Sequence, residues 1–174
     1  MEIRRARPTE AGPLASLWLR SRAASAPSTP PTIHTDEEVH RWFEEVVLPT
    51  REVWLAERDG APVALLVLDG RWIDQLYVDP SSTGTGLGAA LLEHAKRVRP
   101  SGLRLWTFES NRGARRFYER HGFAVVATTV DDNEERAPAR CYEWRPADPD
   151  VRHPDPAGPS LSPGAPSPGS APGT

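Results

Sequence analysis

Cysteine and lysine are nearly missing from this 174-residue chain. Cys141 stands alone, which excludes an intrachain disulfide and a cysteine-based zinc site. Lys96 is the sole lysine and does not directly follow a glycine loop, so a triphosphate-binding P-loop is excluded. The five histidines contain no pair at metal-ligand spacing, and no G-x-S-x-G is present. Metal and serine-nucleophile chemistries therefore find no support. No apolar run is long enough for a signal peptide or a membrane span, so a cytoplasmic protein without membrane contact is expected. A basic excess is lacking too. The net charge is −3, and Asp148, Asp150 and Asp155 against Arg152 place most of it near the C-terminus. The rest is near neutral, whereas a nucleic-acid partner would call for a basic face.

What the chain has in plenty is proline, glycine, alanine and serine after residue 145. Val151 and Leu161 are the only large apolar residues in 146–174. Such a segment cannot bury enough surface to offset its chain entropy, and a disordered tail is expected there. A proline-rich docking segment is the functional alternative. Residues 1–145 suffice for one domain with its own core.

Residues 72–90, W-I-D-Q-L-Y-V-D-P-S-S-T-G-T-G-L-G-A-A, organise that domain. Ile73, Leu76, Tyr77 and Val78 are strand formers, and Asp79-Pro80 ends the strand. Gly84, Gly86 and Gly88 follow small polar residues. Leu87, Leu91, His94, Ala95 and Val98 then recur at helical spacing. A glycine turn feeding a helix start can point bare N–H groups at an anion where the helix dipole favours negative charge. The ligand expected is the diphosphate of a nucleotide-containing cofactor. Gly84, Gly86 and Ala89 also fit the dinucleotide pattern G-x-G-x-x-A, with Glu109 some twenty residues on. In that fold, however, the glycines directly follow the first strand. Here residues 79–83 intervene, the preceding strands are joined by tight hairpins, and too little chain follows for a second half.

The two motifs resemble those of the GCN5-related N-acetyltransferase superfamily. Its L-x-V-x-P followed by Q/R-x-x-G-x-G/A is matched by Leu76, Val78, Pro80, Thr83, Gly86 and Gly88. Its N-x-x-A-x-x-F-Y-E-x-x-G-F is matched by Asn111, Ala114, Phe117, Tyr118, Glu119, Gly122 and Phe123. Thr83 departs from the usual Gln or Arg, which puts one side-chain contact to the diphosphate in doubt but leaves the backbone cradle intact. The resemblance covers residues 1–145. It implies a mixed, mostly antiparallel sheet with helices on both faces, in the order β-αα-βββ-α-β-α-ββ, and acetyl-CoA as the acyl donor.

The local signals agree with that order. Residues 1–6 form a short strand candidate, and Thr9 is expected to cap the first helix, whose apolar residues are Leu14, Leu17 and Trp18. A proline loop spans 25–34. Thr35 and Glu38 form a capping box for a second helix burying Val39, Trp42, Phe43 and Val46 and ending near Pro49. Asp59-Gly60 and Asp69-Gly70 are hairpin signals linking three strands. A strand over 103–108 precedes a helix capped by Ser110 or Asn111. Strands over 123–129 and 140–144 flank a polar loop at 131–138.

Acetyl transfer from a thioester to an amine needs four provisions: a diphosphate cradle, a donor to the developing oxyanion, a base for the amine and an acid for the thiolate. Thr83, Gly84, Thr85, Gly86, Leu87 and Gly88 are the expected cradle. The resemblance implies that the backbone of Leu76, Tyr77 and Val78 pairs with the pantetheine arm, with an N–H facing the acetyl carbonyl. This requires a strand edge left open where neighbouring parallel strands splay. Tyr118 is the expected acid. Asn111 either caps its helix or meets the cofactor. Asp74, on the same face as Leu76 and Val78 by simple alternation, is either the base or the partner of an arginine, and Glu109 is the second choice. Arg115, Arg116 and Arg120 are read as a solvated helix face, His34 as a surface residue, and the acidic 131–135 stretch as a hairpin tip. The expected activity is direct acetyl transfer to a primary amine, of a small molecule, by a monomer or homodimer. The alternatives are a non-catalytic acyl-CoA-binding module and a protein N-terminal or lysine acetyltransferase.

Overall fold

A computed structural model describes residues 2–147. The tail expected over 146–174 thus lies almost wholly outside the described residues. The chain runs β1 (Ile3–Arg5), α1 (Ala11–Ala24), α2 (Asp36–Trp42), α3 (Leu48–Thr50), β2 (Glu52–Arg58), β3 (Ala61–Asp69), β4 (Trp72–Val78), α4 (Leu87–Val98), β5 (Leu103–Phe108), α5 (Arg112–Arg120), β6 (Ala124–Thr129) and β7 (Ala139–Trp144). One sheet holds all seven strands in the order β1-β2-β3-β4-β5-β7-β6. Every pairing is antiparallel except β4 with β5. The expected mixed, mostly antiparallel architecture is therefore the one observed.

Alternation along the strands makes two cores. Leu66, Leu68, Leu76 and Val78 pack on one face with Leu91, Leu92 and Ala95 of α4 and Ala114, Phe117 and Tyr118 of α5. Leu55, Leu65, Val67 and Tyr77 pack on the other with Leu14, Leu17 and Trp18 of α1 and Val39 and Trp42 of α2. β3 is buried on both faces, which explains its unbroken run A-L-L-V-L.

The Asp59-Gly60 turn has φ of 53° and 77° at its two residues, as a tight hairpin of this hand requires. Thr35 accepts from the Glu38 amide at 3.2 Å, and Glu38 accepts from the Thr35 amide at 2.8 Å, closing the capping box. Thr9 does not cap α1. A 3-10 turn over Pro8–Glu10 precedes that helix, and Glu10 accepts from the Arg7 amide at 2.7 Å instead. Val46 is 37% exposed, and Val47 is buried in its place. A π turn over Phe43–Val47 inserts an extra residue per turn and shifts the apolar phase by one.

Glu143 of β7 binds the sheet's middle. Its carboxylate meets Arg71 before β4, Arg104 of β5 at 2.9 Å and Arg145 at 3.0 Å. Burial pushes this carboxyl upward, and Arg145 and Arg104 more than reverse the effect, leaving it below the ordinary carboxylate range. A carboxyl held low in the folded state contributes stability above its unfolded pKa and loses it as pH falls through the folded value. Glu143→Gln should therefore lower stability at pH 7 by about 1–3 kcal/mol. Urea titrations of both proteins should show the deficit shrinking as pH falls below the ordinary carboxylate range, through the lowered value at which folded Glu143 protonates.

Candidate active site

β4 and β5 run parallel but separate. Among the described residues they pair only at Trp72 with Arg104, where the Arg104 amide donates to the Arg71 carbonyl at 2.9 Å. Beyond that point the C-terminal half of β4 keeps β3 on one edge and has no strand on the other. The Asp79 amide donates to Val63 at 2.8 Å, and antiparallel pairing alternates. Tyr77 and Gln75 consequently turn their backbone groups to β3, while Leu76 and Val78 turn theirs to the gap. The carbonyl of Val78 is taken by the Ser21 hydroxyl at 2.9 Å. The two amides and the Leu76 carbonyl face the opening. Of the three residues named for backbone pairing there, Leu76 and Val78 have the required orientation and Tyr77 does not.

Three buried hydroxyls near this gap have no hydrogen-bond partner: Tyr77 on β4, Thr107 on β5 and Tyr118 on α5. Tyr77 belongs to the α1 side of the sheet and Tyr118 to the α5 side. Burial, followed by the field of Tyr77, pushes the Tyr118 phenol far above its ordinary value. Tyr118 thus stays protonated and can donate. A buried hydroxyl without a protein partner is costly, and such groups on both strands and on α5 suit a polar ligand.

The glycine loop lies just past the open end of β4. Asp79 accepts from the Ser81 amide at 3.0 Å and is held by Arg20 at 2.7 Å, starting a 3-10 turn over Pro80–Ser82. The hydroxyls of Thr83 and Thr85 turn back onto the carbonyls of Pro80 and Ser82 at 3.1 and 2.6 Å. Gly84 and Gly86 have φ of 73° and 83°, and a Cβ at either would meet nothing within 4 Å. These glycines are required by the left-handed backbone, while the space before them stays clear. Gly86 is the N-cap of α4 and supplies no side-chain cap, so the first amides of Leu87, Gly88 and their neighbours remain available. An uncapped helix start behind an empty loop fits a diphosphate.

The remaining named residues are placed as follows. Asn111 caps α5, accepting from the Ala114 amide at 3.0 Å and donating to Thr29 at 3.2 Å, so both ends of its side chain are engaged. Asp74 is not on the face of Leu76 and Val78 in the way alternation suggests. A bulge opposite Val67 and Leu68 interrupts the register, so that Ile73 joins Leu76 in one core and Asp74 falls out of phase. Its carboxylate lies 3.0 Å from Arg51, which also meets Asp69 at 3.2 Å. Glu109 is paired with Arg140 at 2.6 Å. Arg116 and Arg120 are exposed, and Arg115 donates to the Glu109 carbonyl at 3.1 Å.

Sequence reasoning missed how the proline loop and the acidic loop meet. Glu134 lies 2.8 Å from His34, and Glu135 lies 2.5 Å from Arg22, both side chains of the latter pair being 3% exposed. Contacts 100 and 113 residues apart leave no local signal.

Comparison with known proteins bears on the family of the chain. Residues 49–125 match the model of the acetyltransferase (GNAT) domain. A peptidyl-lysine N-acetyltransferase, YjaB of Escherichia coli strain K12, is 36% identical over 136 residues, spanning 76% of this chain and 88% of that protein. The chain belongs to the GNAT acetyltransferase family. It is accordingly an acetyl-CoA-dependent N-acetyltransferase. The solution structure of apo YjaB from Escherichia coli superposes with a TM-score of 0.67 at 30% identity, covering 82% of this chain and 96% of that one. The PaiA N-acetyltransferase of Thermoplasma acidophilum, solved in complex with coenzyme A, shares the fold at a TM-score of 0.61 and 18% identity, covering 83% and 98%.

Gly86→Ala tests the cradle of this enzyme. Forcing a Cβ into a left-handed backbone should cost about 1–2 kcal/mol of folding stability. Coenzyme A affinity, measured by calorimetry, should fall about tenfold or more as the loop amides re-aim.

Proposed function

We propose that this enzyme transfers an acetyl group from acetyl-CoA to a primary amine by direct attack, without an acylated side chain. The observation that supports this reading most is the open edge of β4 beside the protonated Tyr118. Acetyl-CoA supplies an electrophilic carbonyl and a sulfur leaving group when bound. The amides at Thr83–Gly88 would hold its diphosphate. The Leu76 and Val78 backbone would orient the pantetheine arm, one of the two amides facing the oxygen that gains charge. Tyr118 would give its proton to the departing sulfur.

For the acceptor, the names of two relatives favour a lysine side chain. YjaB, and YiaC of Escherichia coli strain K12 at 26% identity over 143 residues, are both peptidyl-lysine N-acetyltransferases. The structure favours a slender acceptor in either case. The proline loop is tied to α5 by Ser110 to the Ser28 carbonyl at 2.7 Å and by Asn111 to Thr29, and to the acidic loop by His34. A loop tied down at two places suits a flexible amine, whether the tip of a lysine or a free small molecule, better than a broad peptide surface.

Tyr118→Phe separates chemistry from binding. kcat should fall about 100-fold or more. Coenzyme A affinity should hold, and the melting temperature should stay or rise because an unpartnered buried hydroxyl is removed. Unchanged turnover in a thiol-release assay would remove Tyr118 from the acid's role.

A further inference from the structure

Of the carboxylates named for proton removal, Asp74 is ion-paired with Arg51 and Glu109 with Arg140, and the structure offers another. Among the described residues, the buried carboxylate oxygens without a hydrogen-bond partner are Oδ2 of Asp74 and Oε2 of Glu135. Arg51 stands 3.0 Å from the first. Glu109 is spent on Arg140, Asp79 on Arg20 and Ser81, and Glu119 on the Tyr142 hydroxyl at 2.9 Å. Glu135 alone combines a side chain that is 3% exposed with one oxygen fixed by an arginine and the other buried without a hydrogen-bond partner.

Its location is set by Arg22. That guanidinium donates through Nη2 to Glu135 Oε1 at 2.5 Å and to the Pro30 carbonyl at 3.2 Å. It lies over the rings of Trp18, at 5.1 Å, and Phe108, at 5.8 Å. Phe108 is the last residue of β5, and Trp18 stands edge-on to Tyr77 at a centroid distance of 5.9 Å. The next residue but two after Trp18, Ser21, grips the Val78 carbonyl. The pair therefore sits at the open ends of both splayed strands, on the α1 side. Tyr118 approaches from the α5 side. Acid and carboxylate are thus on opposite faces of the sheet with the gap between them, so the attacking nitrogen and the departing sulfur of one tetrahedral intermediate can each meet a group of its own.

We propose that Glu135, fixed by Arg22, receives the ammonium group of the acceptor on its free Oε2 and takes its proton. This rests on the acetyl-transfer reading above. The proton count closes. Glu135 accepts one proton as the ammonium becomes an amine. The nitrogen bonds to the acyl carbon while the carbon–sulfur bond breaks, and Tyr118 gives its proton to the sulfur. The acylated nitrogen returns a proton to Tyr118, and Glu135 releases its own to water. Burial pushes the Glu135 carboxyl above its ordinary value, with Arg22 opposing and Glu134 assisting. This brings it nearer in basicity to an amine. The charged groups around it are Arg22 from α1, Glu134 beside it, and His34 of the proline loop, which holds Glu134.

The test is the pH profile of thiol release from acetyl-CoA with Nα-acetyl-lysine amide, putrescine and tyramine. Glu135→Gln, which can still accept from Arg22, should lose about 100-fold in kcat/KM near neutral pH. The loss should shrink to less than tenfold near pH 10, where the amine sheds its proton in solution. The acid limb set by the Glu135 carboxyl should give way to a rise that follows the ionisation of the amine itself, while coenzyme A affinity holds. Glu135→Asp should keep the limb, and Glu134→Gln, which releases His34, should keep it too. A loss that is equal at all pH values, a loss matched by weaker coenzyme A binding, or full activity in Glu135→Gln would overturn the role. A wild-type enzyme that binds coenzyme A but acetylates none of the three amines would overturn the acetyl-transfer reading itself and this role with it.

Discussion

Two parallel strands that begin together and then part are the constraint on which this molecule turns. A backbone edge without a partner is expensive inside a protein, because each N–H and C=O left dry forfeits a hydrogen bond. The chain holds β4 and β5 together at Trp72 and Arg104 and lets them diverge toward Val78 and Phe108. Strong pairing on either side makes the opening sustainable. β3 runs along the other edge of β4, and β7 pairs with β5 from Leu103–Trp144 to Phe108–Ala139. Arg71, Arg104 and Arg145 gathered on Glu143 fix the closed end. What is left unpaired at the other end is a site whose backbone groups are spaced for an extended ligand.

The rest of the site follows from that opening. In the proposed reading, a ligand arm entering between the strands would have its charged end at the mouth of α4, where Gly86 supplies no side-chain cap, and its reactive end between two faces of the sheet. The phenol on one face is held protonated by burial, and on the other a carboxylate is held by an arginine stacked on aromatic rings. The same low-dielectric surroundings thus push both groups toward their protonated forms. For Tyr118 that secures a donor. For Glu135 it brings the carboxyl closer to the basicity of the amine it faces.

Features governed by neighbouring residues were legible in the sequence. The Thr35–Glu38 capping box, the Asp-Gly hairpins, the Asn111 cap and the glycine loop are all written within a few positions, and each has its mechanism there. Two local phase errors show the limit of periodicity. A π turn moved burial from Val46 to Val47, and a bulge put Asp74 out of step with Leu76; each inserts one residue that no hydropathy pattern announces. The contact between Arg22 and Glu135 was not legible at all. An acidic hairpin and a helix-end arginine both look solvated in sequence, and only the return of β7 between β5 and β6 brings the acidic loop over the proline loop.

The proposed site depends on which backbone amides of β4 face the thioester arm. Amide hydrogen exchange followed residue by residue, with and without coenzyme A, reads this directly. Slowing at Leu76 and Val78 on addition of coenzyme A, with Gln75 and Tyr77 already slow in the free protein, is the result expected. Protection gained at Tyr77 instead, or no change anywhere along β4 while the glycine loop responds, would contradict it.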